Sequence, residues 1–398
     1  MLLAVIEGLM YKHILVIVNS LDPSQGGVER VTQTITKGFQ SRGCICYFCY
    51  FEGDCPSGLV SERSYKVSVD ISKHSLVTQI VELISDHKID LVISQGITRS
   101  KYLYLYRQIK KQTNAKFAFC FHSSPDYIDR LDYGSLSHSK GLISPFFGVI
   151  NYRIHKRREL RKLKQIYRTC DRFVLLSPSY LIQMQAQLGL DEGRKFCSIA
   201  NPLSFDIMPD EIDIGAKEKK VLIVSRLLES HKRISIAIRI WHAIEMLGYS
   251  DWRMIVVGRG KDEAMYLRMA SEYGLERLEF HGAKANVLPY FRNSSIFLMT
   301  SAFEGLSMTL LEAQQNGCVP IVFDTFSSVN DIVSDGLDGY IIPEGDEGAF
   351  TRKLASLMEN QKLRSEMSQN AIHMCQKFEL AKILDDWCGE ILNPNRYV

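Results

Sequence analysis

The stretch HILVIVNSLDPSQGG (13–27) decides how the rest of the chain is read. Ile14 to Val18 are apolar without alternation, as in a strand buried on both faces. Asn19 to Gly27 are polar and include glycines, a loop composition. Val28, Val31, Ile35 and Phe39 then recur at helical spacing up to Gly43, so a helix follows. This strand–loop–helix unit repeats outward. CICYFCYF (44–51), IDLVISQG (89–96), FAFCFH (117–122), RFVLLS (172–177) and FCSIANP (196–202) read as short strands, with helical stretches between most of them. Such alternation predicts a parallel, doubly wound α/β sheet.

Residues 206–219, DIMPDEIDIGAKEK, interrupt the pattern and read as a linker. The pattern then restarts. Strand KVLIVS (220–225), helix 233–247, strand RMIVVG (253–258) and helix 262–273 are followed by strands LEFHG (278–282), IFLMT (296–300), VPIVF (319–323) and GYIIP (339–343). A helix is expected over 361–376 and another over 379–392, where Leu380, Ile383, Leu384, Trp387 and Ile391 share a face. A chain of 398 residues exceeds one ordinary core. Two Rossmann-like domains, 12–205 and 206–376, are therefore expected to face across a cleft, with ligands at their strand ends.

Hydrophobic content of 46% with 23% charged residues describes a soluble globular protein. No apolar run approaches the roughly 18 residues of a membrane span. The opening MLLAVIEGLMYK (1–12) reads as an extension before the first strand, not a signal peptide, because Glu7 interrupts it and no basic residue precedes it. Residues 1–205 carry 27 Lys+Arg against 17 Asp+Glu, while 206–398 carry 21 against 28. The basic first half is expected to meet something anionic. Cys44, Cys46, Cys49 and Cys55 lie close enough in sequence to suggest a metal cluster. On a strand, however, Cys44 and Cys46 point to one face and Cys49 to the other. A half-buried strand using cysteine as a small apolar residue is the preferred reading, with no metal site. The scattered remainder implies a reducing compartment without disulfides.

Chemistry concentrates at strand ends. SAFEGLSMTLLEAQQNG (301–317) carries Glu304 ahead of a helix starting near Leu306 or Ser307, Glu312 on that helix, and Gly317 at its end. Two carboxylates about 12 Å apart along a helix are too distant for a glycoside-hydrolase pair. They suit separate parts of one long ligand, with phosphate at the helix start between them. A helix with an acidic first turn and one exposed glutamate would show the same letters. SRLLESHKR (225–233) places Arg226 and Lys232 around a loop that can close on a diphosphate, or else is a solvated basic turn. GGVER (26–30) lets backbone approach a phosphate or sugar at Gly26 and Gly27. VVGRGKDEA (256–264) contains a G-x-G but lacks the third glycine of a dinucleotide fingerprint. His122 ends a strand and is either structural or part of a site.

Together these segments resemble the retaining glycosyltransferases of family 4, which have the two-domain GT-B fold. The resemblance rests on Glu304-Gly-Leu-Ser-Met-Thr-Leu-Leu-Glu312 and its continuation to Ile321, on SRLLESHKR, on GGVER and on NPL (201–203). Ser225 stands where the family has glycine, and the spacing from Arg226 to Lys232 is one residue longer, so Lys232 and Arg233 both remain candidates for the phosphate. The resemblance implies that 12–205 binds the acceptor, 206–376 binds a nucleotide sugar, and 377–398 packs back on the first domain. It implies that Glu312 holds the ribose, and that Glu304 with the amides of Gly305, Leu306 and Ser307 holds the donor sugar. Arg226 and Lys232 would neutralise the leaving diphosphate, and Met308 and Thr309 would lie against the phosphates. Gly282 and Ala283 would meet the base, and His122 would line the sugar and acceptor side. Glu304→Ala is accordingly expected to leave affinity for free UDP nearly intact while cutting turnover, and Glu312→Ala to weaken nucleotide binding.

The expected activity is transfer from a UDP-sugar, without cofactor or metal, to a glycan or lipid-linked acceptor of bacterial surface polysaccharide such as lipopolysaccharide or capsule. A nucleotide-sugar epimerase and a non-catalytic carbohydrate-binding protein at the membrane are the alternatives. No nucleic-acid partner is expected. SPFFGVINYRIHKRRELRKLKQIYR (144–168) sets Phe146, Phe147 and Ile150 before eight Lys+Arg, with Leu160, Leu163 and Tyr167 at helical spacing. It is expected to lie on an anionic bilayer, placing the protein in the cytoplasm, peripheral on the inner face of the plasma membrane.

Overall fold

The computed structural model describes residues 11–23, 26–55, 61–130 and 145–392, with 61 and 145–150 as backbone. The extension 1–10 lies outside the described residues. Two compact units emerge. Among the described residues the first contains 11–125, 145–204 and 378–392, and the second contains 126–130 and 205–377.

The first unit is a parallel sheet of β1 (His13–Ser20), β2 (Ile45–Glu52), β3 (Ser64–Lys66), β4 (Leu91–Gln95), β5 (Lys116–Phe121), β6 (Arg172–Leu175) and β7 (Phe196–Ser198). Their spatial order is β3-β2-β1-β4-β5-β6-β7, so the winding reverses between β1 and β4. The connecting helices are α1 (Gly27–Ser41), α2 (Lys73–Asp86), α3 (Ser100–Gln112), α4 (Pro145–Thr169) and α5 (Ser179–Leu188). Aromatic rings fill the core, with Tyr106 on Phe117 at 4.7 Å and Phe119 on Phe173 at 5.2 Å.

Two sequence expectations need correction in this unit. Strand β2 is not half-buried: Cys46 through Phe51 are all buried, because β1 and β3 flank it in a sheet wound on both faces. Burial pushes the Cys46 and Cys49 thiols up to about 12. Among the described residues no cysteine is in a disulfide, and no three His, Cys, Asp or Glu side chains group as metal ligands would. The second correction concerns α4. Leu163, Ile166 and Tyr167 are buried in the unit's own core, with Tyr167 4.6 Å from Phe196 between ring centroids. The apolar stripe expected to face a bilayer is thus largely consumed by packing. Arg153, Arg157, Arg158 and Arg161 remain exposed. Ser144 and the side chains of Phe146, Phe147 and Ile150 lie outside the described residues. Among the described residues no helix is long and apolar enough to cross a membrane.

The second unit repeats the plan with β8 (Glu218–Val224), β9 (Arg253–Val257), β10 (Leu278–Gly282), β11 (Ser294–Met299), β12 (Val319–Asp324) and β13 (Tyr340–Pro343) in the order β10-β9-β8-β11-β12-β13. Helices α6 (Glu229–Lys232), α7 (Ile234–Met246), α8 (Glu263–Glu272), α9 (Leu288–Asn293), α10 (Met308–Gln315), α11 (Val329–Ile332), α12 (Glu347–Glu359) and α13 (Gln361–Met374) connect and cover the strands. Trp241, Trp252 and Tyr266 anchor its core. Residues 126–130, assigned by sequence to the first domain, pack in this unit, where Arg130 pairs with Asp126 at 3.2 Å and Glu344 at 2.8 Å.

Near the end of the described residues lies α14 (Leu380–Trp387), which belongs to the first unit and runs on into a π-helical turn over Cys388–Leu392. Trp387 meets Phe39 of α1 edge-on at 5.4 Å, and Arg42 pairs with Asp385 at 2.7 Å. A Cβ on Gly38 would lie 2.6 Å from Leu384, so the missing side chain lets the two helices approach. Trp387→Ala is expected to destabilise the first unit by about 3 to 5 kcal/mol, read as a lower urea midpoint. Trp387→Phe should cost far less, since the ring contact persists. An unchanged midpoint for the alanine variant would contradict this packing.

Candidate active site

Strands β8 and β11 are neighbours where the winding of the second sheet reverses, with Ile296 opposite Val221. Loops leaving such strands flank a crevice at the carboxyl end of the sheet. The loop after β8 carries Arg226 and Lys232; the loop after β11 carries Glu304. The fold therefore brings Lys232 to Glu304, 72 positions further along the sequence.

The β8 loop is held from the β9 side. Ser225 N–H donates to Val257 O at 3.0 Å and Leu227 N–H to Arg259 O at 2.9 Å. A Cβ on Gly258 would sit 1.8 Å from Ser225 O, and one on Gly260 2.1 Å from Leu227 O. The G-x-G of 258–260 thus serves close backbone approach. Glu229 accepts from Ser235 Oγ at 2.6 Å and from the buried Tyr266 hydroxyl at 2.9 Å, and its N–H donates to Asp262 at 2.8 Å. These bonds fix the short helix α6.

A second set ties the β8 loop to the β11 loop. Arg233, in the left-handed conformation at φ 48, donates through Nε to Thr300 O at 3.0 Å and through Nη2 to Ser301 O at 3.1 Å. Its Nη1 pairs with Glu344 at 2.8 Å. Thr300 Oγ1 donates to Lys232 O at 2.9 Å, and Ala302 N–H to His231 O at 2.7 Å. His231 donates from Nε2 to Phe303 O at 2.8 Å and stacks on the Phe303 ring at 4.2 Å, with the planes 7° apart. Arg233 is thereby consumed in holding the loops. Lys232 is the cation delivered to the site, where its ammonium pairs with the Glu304 carboxylate. Both side chains are largely buried, at 14% and 11% exposure.

Burial alone would raise the Glu304 carboxyl, but the Lys232 charge, then His231, outweigh it and hold the group below the usual carboxylate range. Burial, then the adjacent Lys232 charge, pulls the His231 imidazole down to about 4. Arg226 is exposed, and its charge adds to that lowering. At neutral pH the site holds an anionic Glu304 and a neutral His231.

Helix α10 starts beside this pair. Ser307 is its N-cap, yet the Ser307 hydroxyl faces Thr309 Oγ1 at 3.3 Å and no side chain caps the first turn. Uncapped first-turn amides form a positive helix end. Gly305, Met308 and Thr309 are half-exposed, while Leu306 and Ser307 are buried. Gly305 O accepts from Ser328 Oγ at 3.0 Å, and Ser301 O from Thr325 Oγ1 at 2.7 Å, which anchors the loop from the β12 side. Glu312 is buried at 0% exposure, so it is not the exposed helical glutamate that the letters alone allow. Gly282 ends β10 at φ 69 with Arg259 beside it, and Ala283 is exposed.

His122, Gly26 and Gly27 belong to the first unit. His122 lies just past β5, and its Nε2 donates to Gln95 Oε1 at 2.6 Å. Burial pulls its imidazole down to about 4. Gly26 is extended and Gly27 opens α1, which no side chain caps. Sequence reasoning missed His231, Phe303, Thr300 and the Glu229–Tyr266 bond. The signal for the first was its place beside Lys232; the others are long-range partners without a local pattern.

Histidines held neutral at 122 and 231 make stability depend on pH. Below about 6.5 the unfolded chain takes up protons that the folded chain refuses, so stability is full above that value and falls as pH drops toward about 4. Urea melts at pH 7 and pH 4.5 should show this loss. It should shrink in the first unit for His122→Asn and in the second for His231→Asn. A loss unchanged in both variants would assign it to other groups.

Comparison with known proteins agrees with this geometry. Residues 204–374 match the family model described as glycosyl transferases group 1. The amylovoran biosynthesis glycosyltransferase AmsD of Erwinia amylovora is 26% identical over 96% of this chain and 100% of its own length. A Campylobacter jejuni protein named "GalNAc-alpha-(1->4)-GalNAc-alpha-(1->3)-diNAcBac-PP-undecaprenol alpha-1,4-N-acetyl-D-galactosaminyltransferase" is 22% identical over 92% of this chain and 94% of its own. Among solved structures, Anabaena HepE in complex with UDP-glucose superposes with a TM-score of 0.72 at 18% identity, covering 96% of this chain and 99% of that one. With two parallel Rossmann-like units and solved neighbours of this architecture, the chain has the GT-B fold, and its second unit is similar to the group 1 glycosyl transferases over residues 204–374.

Proposed function

We propose that this protein is a retaining glycosyltransferase that moves a sugar from a UDP-sugar to a glycan or lipid-linked glycan during assembly of a bacterial surface polysaccharide. The observation that carries the reading is the meeting of Lys232 and Glu304 at the reversal of the second sheet, beside the uncapped start of α10. Glycosyl transfer builds negative charge on the departing phosphate. Lys232, the exposed Arg226 and the first-turn amides at Met308 and Thr309 are fixed positive groups that stabilise that charge. Glu304, with the amides of Gly305 to Ser307, receives the sugar hydroxyls. Glu312 receives the ribose, which requires its neighbours to move, since it has no exposed surface. Gly282 and Ala283 receive the base. The first unit takes the acceptor, with the neutral His122 and the backbone of Gly26–Gly27 as its candidate contacts. The relatives support the finer terms: HepE was solved with UDP-glucose, and the Campylobacter enzyme is named for an alpha linkage on a PP-undecaprenol glycan.

Because protein cations supply the charge, turnover needs no metal. Incubation with a panel of UDP-sugars should release UDP and free sugar slowly from one donor. Proton NMR should show the α-anomer forming first, and EDTA should leave the rate intact. Release of an isomerised UDP-sugar would indicate an epimerase. A β-anomer, or a rate restored after EDTA only by manganese, would refute retention or metal independence respectively.

The protein acts from the cytoplasm at the inner face of the membrane, in this reading, through the exposed cations of α4. Each adds about 1 kcal/mol near an anionic surface and is screened by salt. The protein should pellet with phosphatidylglycerol vesicles at low salt and be released at high salt. Glu substitution of Arg153, Arg157, Arg158 and Arg161 together should abolish pelleting without lowering the melting temperature. Pelleting indifferent to lipid charge would rule this surface out.

A further inference from the structure

The Lys232–Glu304 pair has a consequence for which ligands the site retains. With no donor bound, the ammonium and the carboxylate satisfy each other. A diphosphate that recruits Lys232 must draw it away from Glu304. The carboxylate then stands largely buried next to a dianion. Its other neighbours cannot replace the lost charge. His231 Nε2 lies 3.8 Å from Glu304 Oε2, but its proton is committed to Phe303 O. The Ser301 hydroxyl bonds to Glu304 and carries no charge. A buried carboxylate stripped of its cation is costly unless new donors reach it. A sugar on the diphosphate brings such donors, its hydroxyls. A bare nucleoside diphosphate brings none to this position, because its ribose hydroxyls go to Glu312 in the reading above.

Building on the donor-site reading above, we propose that Glu304 determines specificity by distinguishing a nucleoside diphosphate that carries a sugar from one that does not. The internal pair opposes binding of the bare nucleotide and re-forms when it leaves. After transfer the sugar is gone from the diphosphate, Glu304 loses its hydroxyl partners, and the return of Lys232 to Glu304 favours release of the product. This changes the expectation for variants at position 304. Removing the charge should tighten free UDP rather than leave it unaffected.

Isothermal titration with UDP tests this on the full chain. Glu304→Gln keeps the size of the side chain and removes its charge. It should bind UDP about tenfold more tightly than the wild type, equivalent to about 1.4 kcal/mol. Lys232→Ala should weaken UDP binding. In the Lys232→Ala background Glu304→Gln should tighten UDP by a clearly smaller factor, because the competing pair is already absent and only the repulsion between carboxylate and diphosphate is relieved. Should Glu304→Gln lose its cooperative melt, Glu304→Asp withdraws the carboxylate by one methylene and should tighten UDP by a smaller factor. If Lys232→Ala weakens UDP while the Glu304 variants bind it equally or less well than wild type, the specificity role is overturned and the donor-site reading stands. If the wild type does not bind UDP, or Lys232→Ala leaves binding unchanged, the donor-site reading fails and the inference with it.

Discussion

A buried ammonium facing a buried carboxylate is the constraint on which the second unit's functional end depends. Neither Lys232 nor Glu304 tolerates that burial alone, and removing one partner of such a pair typically costs about 3 to 5 kcal/mol. The pair exists because two loops from neighbouring strands are locked in register. Arg233 spends its guanidinium on the carbonyls of Thr300 and Ser301, and His231 spends its proton on Phe303 O. Behind them, Gly258 and Gly260 let the β9 loop press against the β8 loop, and Tyr266 holds Glu229. Polar contacts that look dispersed in sequence thus converge on the position of one ammonium.

In the proposed function, the same arrangement would let a fold with little reactive chemistry serve group transfer. None of the residues here resembles an activated nucleophile, and the two buried histidines are neutral. What the site supplies is fixed charge: Lys232 and Arg226 on one loop and the open end of α10 on the other. Groups held in place before a reaction need not reorganise during it, which is where electrostatic stabilisation of a departing phosphate gains its effect.

Much of this was legible in the letters, for physical reasons. Unbroken apolar runs such as 14–18 and 221–224 mark strands covered on both faces, and their alternation with helical stretches specifies a doubly wound sheet. Glu304, Arg226 and Lys232 could be selected because each follows a strand, where parallel sheets gather their ligands. The order of strands was not legible, because local periodicity does not encode which strands pair. That β8 and β11 are neighbours, and hence that Lys232 meets Glu304, had to come from the fold. The burial of Glu312 was missed for the same reason: a carboxylate on a helix reads as solvated until the sheet that covers it is known. On α4, the spacing of Leu163 and Tyr167 was read correctly as one face, but periodicity cannot say whether that face meets a bilayer or a core.

The central claim is that the end of β8 and the start of α10 hold a nucleotide sugar by separating Lys232 from Glu304. A crystal structure of the protein with UDP-glucose measures this directly. The account predicts the diphosphate at the first turn of α10 with Lys232 turned onto it, and the Glu304 carboxylate within hydrogen-bond distance of a sugar hydroxyl. A nucleotide bound elsewhere, with the Lys232–Glu304 pair intact, would contradict it.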